Sequence, residues 1–204
     1  MTRRKIVVVT AGLSQPSSTR LLADRLAAAA TRALFEQAVD VSFEVVELRG
    51  LARVLADNLL TGFPGGELRT ALDRVLAADG LIVVTPVFNG SYSGLFKLFF
   101  DVIEQGSLQG KPVLMAATGG TSRHSLALEH ALRPLFAYLH ALTVPTAVFA
   151  ASEDWGTGSG LQEALGQRID RAAGELARLV ATREPSRAAD PFEDVTSFER
   201  LLAG

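Results

Sequence analysis

The chain has 204 residues, of which 48% are hydrophobic, a formal net charge of −2 and no cysteine. That size suits one domain with a sizeable core. The near-neutral charge argues against a nucleic-acid groove or a polybasic membrane face, and the missing thiols exclude disulfides, thiolate nucleophiles and Cys-based metal sites.

In chain order, the apolar run Ile6-Val7-Val8-Val9 comes first. It is too short for a signal segment and leads straight into Ser-Gln-Pro-Ser, so it reads as a strand over 5–10, and a cytoplasmic setting is expected. Helical spacing follows over 18–35, with Leu22, Leu26, Ala29, Ala30 and Ala33 on one stripe. Residues 40–48 alternate, Val41, Phe43 and Val45 being split by Ser42 and Glu44, as suits an edge strand. A helix over 67–78 carries Leu68, Ala71, Leu72, Val75 and Leu76 on one side. Strand-like runs over 80–85, 111–118 and 143–150 are interleaved with helices expected over 93–104, 125–140 and 161–182. Pro134 lacks a backbone donor and should bend the fourth of these helices.

Strands that alternate with helices imply right-handed crossovers and a parallel sheet covered on both faces. With the second strand at an edge, the expected fold is α/β and flavodoxin-like: five parallel strands in the order 2-1-3-4-5. The domain is expected to span 1–183. Residues 184–204 form a tail, with a short docking helix expected over 194–202.

In such sheets ligands bind beyond the carboxyl ends of the strands. Three loops there are suggestive. After the first strand, Ser14, Ser17, Ser18 and Thr19 crowd a helix start, where unpaired N–H groups and a positive dipole end favour a phosphate. An ordinary N-cap needs only one such hydroxyl. After the third strand, Pro86-Val87-Phe88-Asn89-Gly90 offers free backbone groups for the edge of a planar heterocycle, with Phe88 to wall its face; a plain polar turn is the alternative. After the fourth, Thr118-Gly119-Gly120-Thr121-Ser122 allows close backbone approach. All three follow parallel strands and so lie at one end of the sheet.

Other motifs fall short. The first loop has neither G-K-[ST] nor G-x-G-x-x-G. "GSYSG" at 90–94 has Tyr92 where a nucleophile elbow has serine, which disfavours a hydrolase using Ser91 or Ser93. His124, His130 and His140 lack zinc-ligand spacing. Trp155 either caps the site or packs.

The segments "GLSQPSSTR", "TPVFNGSYSGLFKLFFD" and "ATGGTSRHSLALEHALRP" resemble the flavodoxin-like NAD(P)H-dependent FMN reductases, most of all those that partner luciferase-like flavin monooxygenases. The resemblance implies that Ser14, Ser17, Ser18 and Thr19 bind the flavin phosphate. It places Pro86, Val87, Phe88 and Asn89 along the isoalloxazine and ribityl chain, and Thr118, Gly119 and Gly120, with Ser122 beside them, at the far side of the ring. Many relatives carry Glu-Tyr where Val87-Phe88 stand and an Arg between the phosphate-loop serines; here Arg20 follows the loop. FMN and NADPH or NADH are the implied cofactors. Hydride transfer to flavin N5 needs stacked rings and no triad or metal. The surplus of apolar residues over 95–103 suggests subunit contact, as in this family's dimers and tetramers. An FMN-containing quinone, azo or chromate reductase, or a flavodoxin-like electron carrier, are the alternatives.

Overall fold

The structure is a computed structural model that describes residues 3–156 and 160–184. The expected tail helix lies outside the described residues. Strands β1 (Arg4–Thr10), β2 (Val41–Glu47), β3 (Gly80–Phe88) and β5 (Pro112–Gly119) are parallel, in the order β2-β1-β3-β5. The short strands β6 (Leu142–Thr143) and β7 (Val148–Ala151) both pair with β5, β6 near its start and β7 near its end. β4 (Ser91–Tyr92) pairs antiparallel with the end of β3. The wound parallel order is as expected, but the count of five is corrected to seven among the described residues. Two causes add strands. The fifth position is interrupted around Pro145, which has no N–H to give a ladder, and β3 turns back on itself in a hairpin.

Burial explains the sheet. Ile6, Val7, Val8 and Val9 are all sealed, as are Leu81 to Val84 and Val113 to Ala117. Such runs have no polar face to turn outward, so both faces must be covered. Even-numbered residues of β1, β3 and β5 (Ile6, Val8, Ile82, Val84, Leu114, Ala116) pack against α1 (Ser18–Glu36) and α6 (Gly160–Thr182). The odd-numbered set packs against α2 (Leu48–Thr61), α3 (Gly66–Ala77), α4 (Gly94–Asp101) and α5 (Arg133–Tyr138). β2 has one covered partner strand and is only half-buried, as an edge should be.

Helix α2 is absent from the sequence reading. Its stripe of Leu48, Leu51, Leu55 and Asn58 has the right spacing, and Gly62 ends it with a left-handed φ of 74°. Gly50 in its first turn and the polar Asn58 in its buried stripe obscured the pattern. The predicted 125–140 helix is also resolved differently. It becomes a 3₁₀ turn at Ser122–His124, a π turn at Leu128–Leu132 and then α5. Pro134 leaves the His130 carbonyl without its i+4 donor, and the chain widens immediately before it.

The apolar surplus of α4 is used within the fold. Phe96, Phe99 and Phe100 are buried, and Phe96 and Phe100 meet Phe136 of α5 at 6.2 and 5.0 Å between ring centroids. The helix therefore does not by itself call for a second subunit. No helix among the described residues is long and apolar enough to cross a membrane.

At the amino ends of the strands lies a buried polar knot. Arg4 and Asp79 pair at 3.5 Å, and Asp79 accepts from the Lys5 amide at 2.7 Å. Lys111 is sealed there. Its Nζ donates to the Leu76 carbonyl at 3.1 Å and to that of Ala78, capping the end of α3. Burial, with Arg183 adding and Asp79 opposing, pushes the ammonium pKa down to about 8. The unfolded chain keeps its proton to about pH 10.4. Between these values the unfolded state binds more protons, so stability rises with pH through that window and the gain is lost as pH falls below about 8. Denaturation at pH 8 and pH 10 should show wild type gaining up to about 3 kcal/mol relative to Lys111→Met.

Candidate functional site

Register brings the three loops to one rim. Thr10 stands opposite Val84, and Pro86 stands opposite Thr118. The Ala11 amide continues the ladder to the Val84 carbonyl at 2.9 Å. The turns after β1, β3 and β5 thus leave the sheet at the same end, that after β1 a few residues earlier than the other two.

The first turn is shaped by Gly12. A Cβ there would lie 2.1 Å from Ser17 Oγ and 3.1 Å from Thr19 Cβ, so only glycine lets the turn close on the start of α1. Ser17 is the N-cap: its Oγ accepts from the Arg20 amide at 3.2 Å. Thr19 is buried, its hydroxyl 2.9 Å from that of Thr118. Ser14 and Ser18 are exposed. The amides of Ser18 and Thr19 occupy the first two helical positions, ahead of the first intrahelical bond from Leu21 to the Ser17 carbonyl. They are unused donors at the positive end of a 19-residue helix. The four hydroxyls therefore divide: one caps, one braces, two stay open.

A cavity of about 340 Å³ adjoins this turn, lined among others by Thr10, Ser14, Ser17, Arg20 and Glu47. Thr10 is only 3% exposed, and its hydroxyl has no hydrogen-bond partner. A buried polar group left so is costly unless something meets it. Its signal in the sequence was faint: a lone Thr closing an all-apolar strand. Arg20 is paired with Asp24 at 2.8 Å and with Glu47. The hydrogen bond to Asp24 leads in raising its hold on a proton, burial opposes, and the charges of both carboxylates add. It ties the helix to the end of β2 and is not a free cation for the turn.

The second loop is a hairpin. Asn89 and Gly90 have φ of 49° and 81°, the left-handed pair of a type I′ turn, and Val87-Phe88 pair with Ser91-Tyr92. The Asn-Gly pair is a hairpin signal, whereas the sequence alone suggests a tight turn with free backbone groups, or a plain polar turn, leading directly to a helix. Behind it, Thr85 and Ser93 are buried. The Ser93 amide donates to Thr85 Oγ1 at 3.0 Å, and Ser93 Oγ caps α4 by accepting from Phe96 at 3.2 Å. Ser93 is thus committed to structure. Phe88, 47% exposed, stands on the hairpin with Asn89, while Pro86 and Val87 are half-buried at its base.

In the third loop, Gly119 and Gly120 differ. A Cβ on Gly119 would sit 2.8 Å from the Phe149 ring, so packing against β7 already requires glycine there. Gly120 has open space and is exposed, as are Ser122 and His124. His130 lies exposed in the π turn and His140 in the turn before β6. Trp155 belongs elsewhere: it packs with the α1–α6 layer, under the Arg25 guanidinium at 5.1 Å.

Residues 4–156 match the family model described as NADPH-dependent FMN reductase. The chain belongs to this family. It is 40% identical over 179 residues to an FMN reductase (NADPH) of Pseudomonas aeruginosa, covering 88% of this chain and 94% of that one. It is 38% identical over 178 residues to the NADH-dependent FMN reductase SfnF of Pseudomonas fluorescens, covering 87% and 92%. Among solved structures, an oxidoreductase from Corynebacterium diphtheriae superposes with a TM-score of 0.86 at 44% identity, covering 90% of this chain and all of that one.

The rim of this FMN reductase family member fits a flavin mononucleotide. Open amides and hydroxyls at the α1 start suit a phosphate, the unsatisfied Thr10 hydroxyl lies beside them, and Gly120 leaves room for a flat ring. The two glycines should separate by experiment. Gly119→Val should cost about 1–3 kcal/mol of stability with or without flavin, through overpacking against Phe149. Gly120→Val should leave denaturation unchanged and weaken FMN binding.

Proposed function

We propose that this protein reduces FMN with NADPH or NADH and releases reduced FMN to a partner flavin-dependent monooxygenase. It does so as a cytoplasmic homodimer or homotetramer whose site lies within residues 1–183. The observation that carries the reading is the convergence of the three turns at one rim beside the α1 start, in a chain of the FMN reductase family. FMN, when bound, supplies the ring that accepts a hydride at N5 while the nicotinamide is oxidised.

The chain's part is to hold and to orient. The Ser14 and Ser18 hydroxyls and the Ser18 and Thr19 amides take the phosphate, with Ser17 fixing their geometry as the cap. The α1 dipole favours the dianion, so no arginine is needed. Pro86, Val87, Phe88 and Asn89 line the ring and ribityl chain, the hairpin presenting Phe88 to one face. Thr118, Gly119, Gly120 and Ser122 form the opposite wall, and backbone donors there stabilise negative charge on the reduced ring. Exposure of Phe88, Asn89 and Gly120 leaves the ring side open to a nicotinamide and to exchange of the flavin. That openness favours FMN as a substrate over FMN as a fixed group. A homo-oligomer finds support in exposed apolar surface at Leu126, just after the third turn, and at Tyr138, at the far end of α5.

Steady-state oxidation of NADH and NADPH with FMN, FAD and riboflavin tests the reading. Oxidation that depends on FMN, by a protein that leaves a desalting column colourless, is expected. No oxidation above the uncatalysed rate would reduce it to an electron carrier, and a firmly yellow protein would favour a quinone or azo reductase. Ser14→Ala with Ser18→Ala should weaken FMN binding by about 1–3 kcal/mol and leave riboflavin unaffected. Equal losses for both flavins would remove the phosphate assignment.

A further inference from the structure

Thr19 and Thr118 lie 99 residues apart, and their hydroxyls meet at 2.9 Å. They are 3% and 4% exposed, so water hardly competes for the bond. Their positions in the chain matter more than the bond itself. Thr19 is the second residue of α1, directly behind the turn that follows β1. Thr118 is the penultimate residue of β5, directly before Gly119-Gly120. β1 and β5 are not neighbours in the sheet, because β3 lies between them. The register puts Thr10 and Thr118 on the α1 face of the sheet, and Thr19 reaches across β3 to close the gap. Among the described residues, this side-chain bond joins the first turn to the third without passing through the second.

We infer that the Thr19–Thr118 hydroxyl pair is a strut that sets the spacing between the first and third turns, and so determines the preference for a phosphorylated flavin over an unphosphorylated one. The inference rests on the flavin reading above. A ligand held at two anchors gains from their being fixed at the matching distance, because the second anchor then binds at high effective concentration. A ligand with only the ring engages the third turn and the hairpin and is indifferent to where the first turn stands. The strut is a positioning device: neither hydroxyl needs to touch the flavin. Each can donate once and accept twice, so the bond holds in either direction. Gly12 complements it, since its missing side chain lets the turn rest against Ser17 and Thr19.

The test compares dissociation constants for FMN and riboflavin, read by flavin fluorescence quenching, in wild type, Thr19→Val, Thr118→Val, the double Val variant and Thr118→Ser. Wild type should prefer FMN. Thr118→Val should narrow that preference at least fivefold although Thr118 lies on the ring side. Thr19→Val should narrow it equally, and the double variant no further, because all three cut one bond. Thr118→Ser, which keeps the hydroxyl, should restore it. A role in packing alone would lower the melting temperature and leave the ratio of the two constants intact. Should a single variant lose its fold through an orphaned hydroxyl, the double variant has no buried polar atom left over, and its ratio decides. The strut is overturned if Thr118→Val or the double variant keeps the wild-type ratio, or if the two single effects multiply. A wild type that binds both flavins equally, or neither, overturns the flavin reading itself and this inference with it.

Discussion

Parallel register among β1, β3 and β5 is the constraint on which the rest depends. Hydrogen bonding along those ladders puts Thr10 opposite Val84 and Pro86 opposite Thr118, so three separate turns begin within a few residues of one another at the same end of the sheet. A slip of one residue in any strand would reverse its faces and send an apolar run into a polar layer. The register is therefore held by the burial of Val7, Val9, Leu81, Val83, Val113 and Met115 on one face and Ile6, Val8, Ile82, Val84, Leu114 and Ala116 on the other. The rim inherits its precision from the core. Alternation also sorts the strand-end threonines. Thr10 and Thr118 face the α1 layer, where a phosphate grip can form, and Thr85 faces α4, where it braces the hairpin.

Much of this was legible from the strands because their apolar runs are unbroken. A strand sealed on both faces leaves little else that the sequence there can be. The parallel wound order followed, as did the convergence of the loops and the assignment of β2 to an edge. What escaped the reading was local. Helix α2 has its Leu48, Leu51 and Leu55 in step, but Gly50 in its first turn breaks the run of good helix formers. The 143–150 strand reads as continuous because β-branched residues flank Pro145, whereas the missing N–H divides it into β6 and β7. Asn89-Gly90 is a hairpin signal with a plain physical basis, two consecutive left-handed residues, and it was outweighed by the expectation that a parallel strand passes directly to a helix.

At the rim, sequence spacing identified three turns that converge but could not tell what each side chain does there. Four hydroxyls at 14–19 look equivalent in a string. In three dimensions Ser17 caps, Thr19 turns inward to Thr118, and Ser14 and Ser18 stay open, because helical geometry sends successive residues about 100° apart around the axis. Gly119 and Gly120 look equally suited to a close ligand, yet Phe149 of β7 accounts for the first. In the string Thr10 is one more strand residue; only its burial without a partner marks it. In each case the distinguishing fact is a neighbour remote in sequence, which local pattern does not carry.

The handling of charge around the first turn bears on selectivity. Arg20 lies in the first turn of α1, and it is bound to Asp24 and Glu47. A free guanidinium there would attract any anion, including the diphosphate of a nicotinamide nucleotide, with little regard for shape. Aimed amides and hydroxyls are weaker at long range but exacting in direction. With Arg20 neutralised locally, Arg49 is the other guanidinium lining the cavity, and in the proposed function selectivity depends on how well a ligand's oxygens meet donors whose positions the cap and the hydroxyl pair fix. That arrangement accords with a net charge of −2 and with the proposed uptake and release of one phosphorylated ligand. A dense cluster of cations would hold the product as firmly as the substrate, whereas a few oriented donors at an open rim allow turnover.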